Sequence, residues 1–481
     1  MPHTKHQVSF TAAILPVLFL LFLIIYGVVL RPQLWGQGDL PLEMIFLLAA
    51  SFAIGELLIL KVPWITIQNA ISDKLAKAFP AILILFCIGL IIGSWIISGT
   101  IPMLIFYGIK WINPNFIYVL AFLILIIFSL LTGTSWGSIG TVGVVVLGVA
   151  VAKDADLGIT AGAIIGGAFF GDKLSPLSDT TNMAAMATDV DLYDHIRSMM
   201  YTTLPSAILA ATIFLIMGWV FPPLVTDGNN PEVQATLDNI AQLFHFNLLL
   251  LLPPVFVLIG SFRKWPTLPT LIGCSLLAAV LALVFQGFSL DQVITTLLHG
   301  FDMDMTPYAE TMPPTIHELF ERGGLYALIN AIVFALFVFV FIGVLDIIDT
   351  MPRLVHKLFG FANTRTKTIL SSLVATGMTN ALTSNQYATS FIIGDAFKHK
   401  YDELKIERKV LSRSIEDYGT MLESALPWTA STIFATTALG ISYASYAPWH
   451  LMSIINLIIA PTIAILGIGC FYEKGKKIDR D

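Results

Sequence analysis

Seven side chains with oxygen donors fall within the twelve-residue run Gly171-Asp172-Lys173-Leu174-Ser175-Pro176-Leu177-Ser178-Asp179-Thr180-Thr181-Asn182: Asp172, Ser175, Ser178, Asp179, Thr180, Thr181 and Asn182. Small hard cations are held by carboxylates, hydroxyls, amide oxygens and backbone carbonyls. Pro176 removes one backbone donor and blocks a helical hydrogen bond, so a helix broken there frees carbonyl oxygens and opens a new N-terminus. Asp172 and Asp179 stand seven residues apart, about two turns in a continuous helix, and the proline leaves their true separation open. The same residue types also favour helix caps. Lys173 fits two roles, a salt-bridge lock for one carboxylate or a snorkelling side chain.

A second segment has the same grammar. Glu423 precedes Pro427 and Thr429, whereas Glu416 and Asp417 read as solvated charges at a cytoplasmic helix start. Two further polar interruptions join apolar stretches: 132–138, with Thr134 and Ser135, and 380–386, with Thr383 and Asn385. Irregular backbone at membrane depth survives only where protein buries it or a cavity wets it. Glu56 is a lone carboxylate in an apolar stretch, suited either to a proton relay or to hydration near Lys61.

These groups stand out because of what surrounds them. Of 481 residues, 56% are hydrophobic and 12% charged, against about 25% charged in soluble domains. With a mean hydropathy of +0.81, a water-soluble reading is excluded. Apolar stretches fall at 11–30, 41–61, 80–98, 116–131, 136–152, 159–172, 201–221, 246–262, 268–286, 325–347, 368–384, 387–397, 414–440 and 450–471. Several are short or polar for a bilayer crossing, so an all-α polytopic membrane protein with about 11–14 transmembrane segments is expected. The first stretch lacks a small-residue cleavage site and reads as a retained span. Cys87, Cys274 and Cys470 are isolated, and the nine histidines never pair at metal-site spacing. No cofactor and no nucleic-acid partner are expected. Without a Gly-x-Ser-x-Gly elbow or a metal motif, a membrane hydrolase is disfavoured.

Basic residues orient the chain. With the N-terminus inside, the outer side keeps Arg31, Lys110, Lys153 and Arg322, while the cytoplasmic side carries 21, among them Lys5, Lys264, Lys474, Lys476, Lys477 and Arg480. The outer loops near 222–245 and 287–324 are acidic, with Asp227, Glu232 and Asp238 in the first. Both termini are therefore expected in the cytoplasm. The chain also repeats itself. Residues 131–138 and 176–181 align with 382–389 and 427–432 at an offset of 251, and Gly93, Thr100 and Pro102 align with Gly343, Thr350 and Pro352 at 250. Seven candidate spans per unit make the two units enter the membrane from opposite sides, the inverted-topology arrangement of many secondary transporters. The expected organisation is a first unit at 1–221, an outer loop at 222–245, an inverted second unit at 246–471 and a cytoplasmic tail at 472–481, with broken or re-entrant helices in both units.

The run 171–182 resembles the signature of the NhaC family of sodium/proton antiporters, within the ion transporter superfamily. Residues 98–108 and 131–137 are also similar to that family. The resemblance implies an inner (plasma) membrane antiporter exchanging Na+ and H+. Relatives sharing the motif include sodium–lactate/malate–proton antiporters, so a sodium- or proton-coupled carrier of a small carboxylate is the rival reading. The ion site expected is Asp172, Ser175, Ser178, Asp179, Thr180, Thr181 and Asn182, joined by Thr134, Ser135, Thr383, Asn385, Glu423 and Thr429. Asp172 and Asp179 would exchange protons, since desolvation raises a carboxyl pKa and a bound cation lowers it. Oligomeric state leaves no trace in the sequence.

Overall fold

The computed structural model describes residues 9–38, 40–223 and 231–472. Lys5, Asp227 and the basic tail residues Lys474, Lys476, Lys477 and Arg480, used in the orientation reading, lie outside these, as does the side chain of Glu232. The described chain is helical, its only β-bridge an isolated pair between Ile406 and Tyr472. Among the described residues nine helices are long and apolar enough to cross a bilayer, or eleven if each of two bent pairs counts as one span. This meets the lower end of the sequence expectation. The segments expected at 368–384, 387–397 and 414–440 are helical but too polar or too broken to pass as simple spans.

Fourteen elements form two matching series. The first is α1 (Trp64–Ile97), α2 (Thr100–Trp111), α3 (Pro114–Thr132), α4 (Ser135–Ala152), α5 (Leu157–Leu174), α6 (Asp179–Ala187) and α7 (Leu192–Val220). The second is α8 (Ile329–Asp346), α9 (Thr350–Phe359), α10 (Arg365–Thr383), α11 (Gln386–Glu403), α12 (408–423), α13 (Ala430–Leu439) and α14, the bent pair Tyr443–Trp449 and Leu451–Leu466. Backbone conformation carries the match. Left-handed residues recur in pairs: Gly36 and Gly287, Gly99 and Asp349, Gly133 and Ser384, Asp154 and Lys405, Asp189 and Gly440. Each pair is separated by 250 or 251 residues.

Hydrogen bonds repeat at the same spacing. Thr134 caps α4 by accepting from Gly137 N at 3.2 Å, and Asn385 caps α11 by accepting from Ala388 N at 2.8 Å. Thr132 pairs with Ser138 at 3.1 Å, and Thr383 with Thr389 at 3.2 Å. Thr181 donates to the Asp172 carbonyl at 3.3 Å, and Thr432 to the Glu423 carbonyl at 3.4 Å. Caps, breaks and side-chain bonds thus recur at the same 250- or 251-residue spacing.

α5 is the central element. It is 94% buried, against 33% for α7, which faces outward along most of its length. Its glycines allow this. A Cβ on Gly167 would lie 2.3 Å from the Phe122 carbonyl oxygen, and one on Gly171 would lie 2.6 Å from that of Ile126, so α3 touches α5 backbone to backbone. On another face, a Cβ on Gly162 would lie 2.4 Å from the Trp449 carbonyl oxygen. Small residues are the usual means of close helix contact where no hydrophobic force drives association.

Gly167→Ala and Gly171→Ala should therefore destabilise the protein by about 1–3 kcal/mol through overpacking. Gly55→Ala, whose Cβ would meet nothing within 4 Å, should be silent. Thermal unfolding in detergent checks this, and equal midpoints for all three variants would contradict it.

Candidate ion-binding site

The polar interruptions converge. In the first unit, α3 ends at Gly133 (φ +71°) and α4 restarts at Ser135, while α5 ends at Leu174 and α6 restarts at Asp179. In the second, α10 ends at Ser384 (φ +46°) and α11 restarts at Gln386. Likewise α12 gives way at 424–429 to α13, which Thr429 caps. Ser384 holds a left-handed conformation that a non-glycine residue adopts only under local support. Its hydroxyl accepts from Ala430 N at 2.7 Å and so ties the two breaks of this unit together.

Between the four breaks lies a cavity of about 140 Å³, lined by polar groups from both units: Thr134, Ser135, Asp172, Ser178, Asp179, Thr180, Ser384, Asn385, Gln386, Tyr387, Thr420 and Glu423. Ile82, Leu85, Phe169, Ala335 and Phe339 supply its apolar wall. A second cavity of about 390 Å³ adjoins it, shares Gly133, Thr134 and Asp179, and reaches Lys264 and Trp265.

Asp172 is 7% exposed. One of its oxygens, Oδ2, accepts from Ser135 N at 3.1 Å and from Ser135 Oγ at 2.7 Å. The carboxylate thus sits on the first amide of α4, where the helix dipole and free N–H groups favour negative charge. Asp179 is exposed to the cavities and accepts from Tyr387 Oη at 2.9 Å. Trp136, the counterpart of Tyr387 in the first unit, donates across to Ser431 Oγ at 3.0 Å. Each unit thereby reaches into the broken helix of the other. Glu423, 251 residues after Asp172, is the repeat counterpart of that carboxylate and lines the same cavity.

Of the residues expected from sequence, Asp172, Ser178, Asp179, Thr180, Thr134, Ser135, Asn385 and Glu423 line this cavity. The others hold its frame. Ser175 donates to the Leu130 carbonyl at 2.8 Å, and Thr181 to the Lys173 carbonyl at 3.0 Å. Asn182 binds the carbonyls of Pro176 and Ser178 and lines the second cavity. Thr383 bonds Thr389, and Thr429 donates to the carbonyls of Glu423 and Leu426. Glu56 lies outside the cavity, with Oε2 buried and unpartnered.

One expectation needs correction. Glu416 and Asp417 are not solvated charges at a helix start. They are 0% and 1% exposed, covered by α5, α7, α10 and α14. Asp417 forms a buried ion pair with Lys173 and also accepts from Thr202 at 2.8 Å. Lys173 is therefore a salt-bridge partner rather than a snorkelling residue, and its partner lies in the other unit. Gln386, Tyr387 and Thr420 were also missed. For Gln386 and Tyr387 a signal existed, since the 251-residue offset places them opposite Ser135 and Trp136.

The arrangement can bind a small cation. Three carboxylates, several hydroxyls and two amides face one small space, while the neighbouring buried ammonium, Lys173, is engaged by Asp417. Among the described residues no three His, Cys, Asp or Glu side chains converge as a transition-metal site would require.

A multi-pass bundle of broken helices around a cavity lined by carboxylates has the architecture of a secondary transporter. Sequence comparison makes the class specific. The sequence model described as the Na+/H+ antiporter family matches residues 167–468. An uncharacterised Na+/H+ antiporter of Haemophilus influenzae is 38% identical over 97% of this chain and 98% of its own. The Na+/H+ antiporter NhaC of Alkalihalophilus pseudofirmus is 33% identical over 91% of this chain and 92% of its own. A malate-2H+/Na+-lactate antiporter of Bacillus subtilis is 31% identical over 96% and 98%. The chain belongs to the Na+/H+ antiporter family.

Ser135→Ala should weaken sodium binding about tenfold, the loss of one hydrogen bond to a charged acceptor. Ser175→Ala, which faces a carbonyl instead, should change it little. Isotopic sodium binding to purified protein measures both, and a reversed ranking would contradict the site geometry.

Proposed function

We propose that this protein exchanges sodium for protons across a bacterial inner membrane by alternating access, with Na+ and H+ competing for Asp172 and Glu423. One observation carries the reading: repeat-related carboxylates from the two units share one small cavity. Sodium between them offsets one of their two negative charges, and a proton does the same. The doubly ionised empty site is too costly to move through a low-dielectric layer. Thr134, Ser135, Ser178, Thr180 and Asn385 complete the oxygen shell. Asp179, held by Tyr387 where the two cavities meet, guides the cation in.

The units at 1–221 and 246–471 are read as inverted, because seven apolar stretches of the sequence, an odd number, fall in each. Rocking of one against the other then exposes the shared site to either side. The tail at 472–481 and the N-terminus belong to the cytoplasmic side, where the basic residues concentrate.

The rival cargo is a small carboxylate, the kind named for the Bacillus subtilis relative. The cavity charge argues against it. An organic anion needs a basic group or positive half-helix ends, whereas three carboxylates line this cavity, Lys173 is taken by Asp417, and Lys264 lies in the adjoining cavity.

Proteoliposomes with an imposed pH gradient and a pH-sensitive dye test the proposal, with sodium, lithium, potassium, malate and lactate added separately. Sodium alone should dissipate the gradient. Asp172→Asn and Glu423→Gln should abolish the response, and Asp179→Asn should slow it. A requirement for malate or lactate would favour the rival, and full exchange by Asp172→Asn would remove this carboxylate from the mechanism.

A further inference from the structure

Glu416 is a buried carboxyl that the account above does not use. It lies in a π-helical turn, Glu416–Thr420, inside α12. The aligned residues of the first unit, Ile165 and Gly166 for Glu416 and Asp417, are uncharged and lie in regular α-helix. Such a turn inside an α-helix frequently marks a functional position. The charged pair and the turn are thus additions peculiar to the second unit, placed where the duplicated frame did not need them.

Glu416 has no exposed surface and does not line the cavity. Its Oε2 accepts from Thr420 Oγ1 at 2.6 Å, while Oε1 is buried with no partner. Thr420 itself lines the cavity. A single hydroxyl therefore separates Glu416 from the space where the cation sits. Sodium cannot pass a hydroxyl, but a proton can. A hydronium in the cavity gives its proton to Thr420 Oγ1 as the threonine's own proton moves to Glu416 Oε2. At Thr420 Oγ1 one O–H bond forms as another breaks, while the hydronium loses one and Glu416 Oε2 gains one, and the reverse sequence returns the proton.

Charge balance points the same way. Lys173 and Asp172 on α5, with Asp417 and Glu423 on α12, are the charges that act on Glu416. Of the other helices packed on this turn, α7 brings His195, bonded to Ser412, and α6 and α11 bring Asp179 and Tyr387, bonded to each other. α14 brings His450, bonded to Ser424, and α10 carries only Arg365 and Lys367, at its start. The cluster therefore holds four carboxyls against one ammonium, which is bonded to Asp417. Three negative charges in one buried cluster demand neutralisation. One sodium in the cavity cannot supply it all.

We propose that Glu416 is a proton-only coupling site: sodium entering the cavity expels a proton from Glu416 through Thr420, beyond any it displaces directly from Asp172 and Glu423. The inference rests on the sodium–proton reading of that cavity. Its test is equilibrium binding of isotopic sodium to the purified full-length protein across pH, with initial rates of exchange in proteoliposomes. Glu416→Gln, which mimics the protonated carboxyl, should still bind sodium at high pH but more weakly than the wild type. Its apparent affinity should change about tenfold less per pH unit, the signature of one fewer proton displaced. Thr420→Val should keep the wild-type pH slope but exchange at least about tenfold more slowly, because the hydroxyl relay is gone. An unchanged pH slope in Glu416→Gln, or loss of sodium binding at every pH, overturns the assignment. If Glu416→Gln does not fold, Thr420→Val decides, and a wild-type rate in it overturns the proposal. Absence of sodium–proton exchange in the wild type would instead defeat the functional reading, which separates the two failures.

Discussion

A carboxylate deep in a helical bundle is tolerable only if something positive reaches it, and this constraint organises the protein. Asp172 meets the first amide and the hydroxyl of Ser135 at a broken helix start. Asp417 meets Lys173. On the proposed reading, what the chain leaves without a fixed counter-charge, at Asp172, Glu423 and Glu416, is what transported cations satisfy. A site fully neutralised by its own residues would have no need of sodium or protons. The incomplete charge balance is therefore the working part of the structure.

The breaks follow from that requirement. Carbonyls and amides become available to an ion only where helices stop, and stopping inside a membrane demands that neighbours satisfy the freed groups. Here they do. Ser175, Thr181 and Thr429 spend their hydroxyls on nearby carbonyls rather than on the cavity. The Ser384–Ala430 bond joins the two breaks of the second unit. Tyr387 and Trp136 each cross to the opposite unit. Contacts that cross between units are the ones that must exchange partners if the units move against each other, whereas the backbone contact of α3 with α5 at Gly167 and Gly171 stays within one rigid body.

Much of this was legible in the sequence, for identifiable reasons. The run 171–182 concentrates oxygen donors around a proline, and both signals are local. The 251-residue offset was legible because the breaks need particular residues: a left-handed position at Gly133 and Ser384, and a cap at Thr134 and Asn385. Burial of Glu416 and Asp417 was not legible. They follow Arg408, Lys409 and Arg413, a pattern that reads as a cytoplasmic helix start, and only the packing of α5, α7, α10 and α14 covers them. The division of the motif into cavity-facing and frame-holding residues was hidden for the same reason. Thr180 and Thr181, adjacent in the chain, look alike until the carbonyl that faces Thr181 is known.

The central claim is that the two units build a single ion site from Asp172 and Glu423. Isotopic sodium binding to the wild type, Asp172→Asn, Glu423→Gln and the double variant tests it most directly. The account predicts strong non-additivity, with either single substitution weakening binding nearly as much as both together. Losses that simply add, as for independent sites, would contradict it.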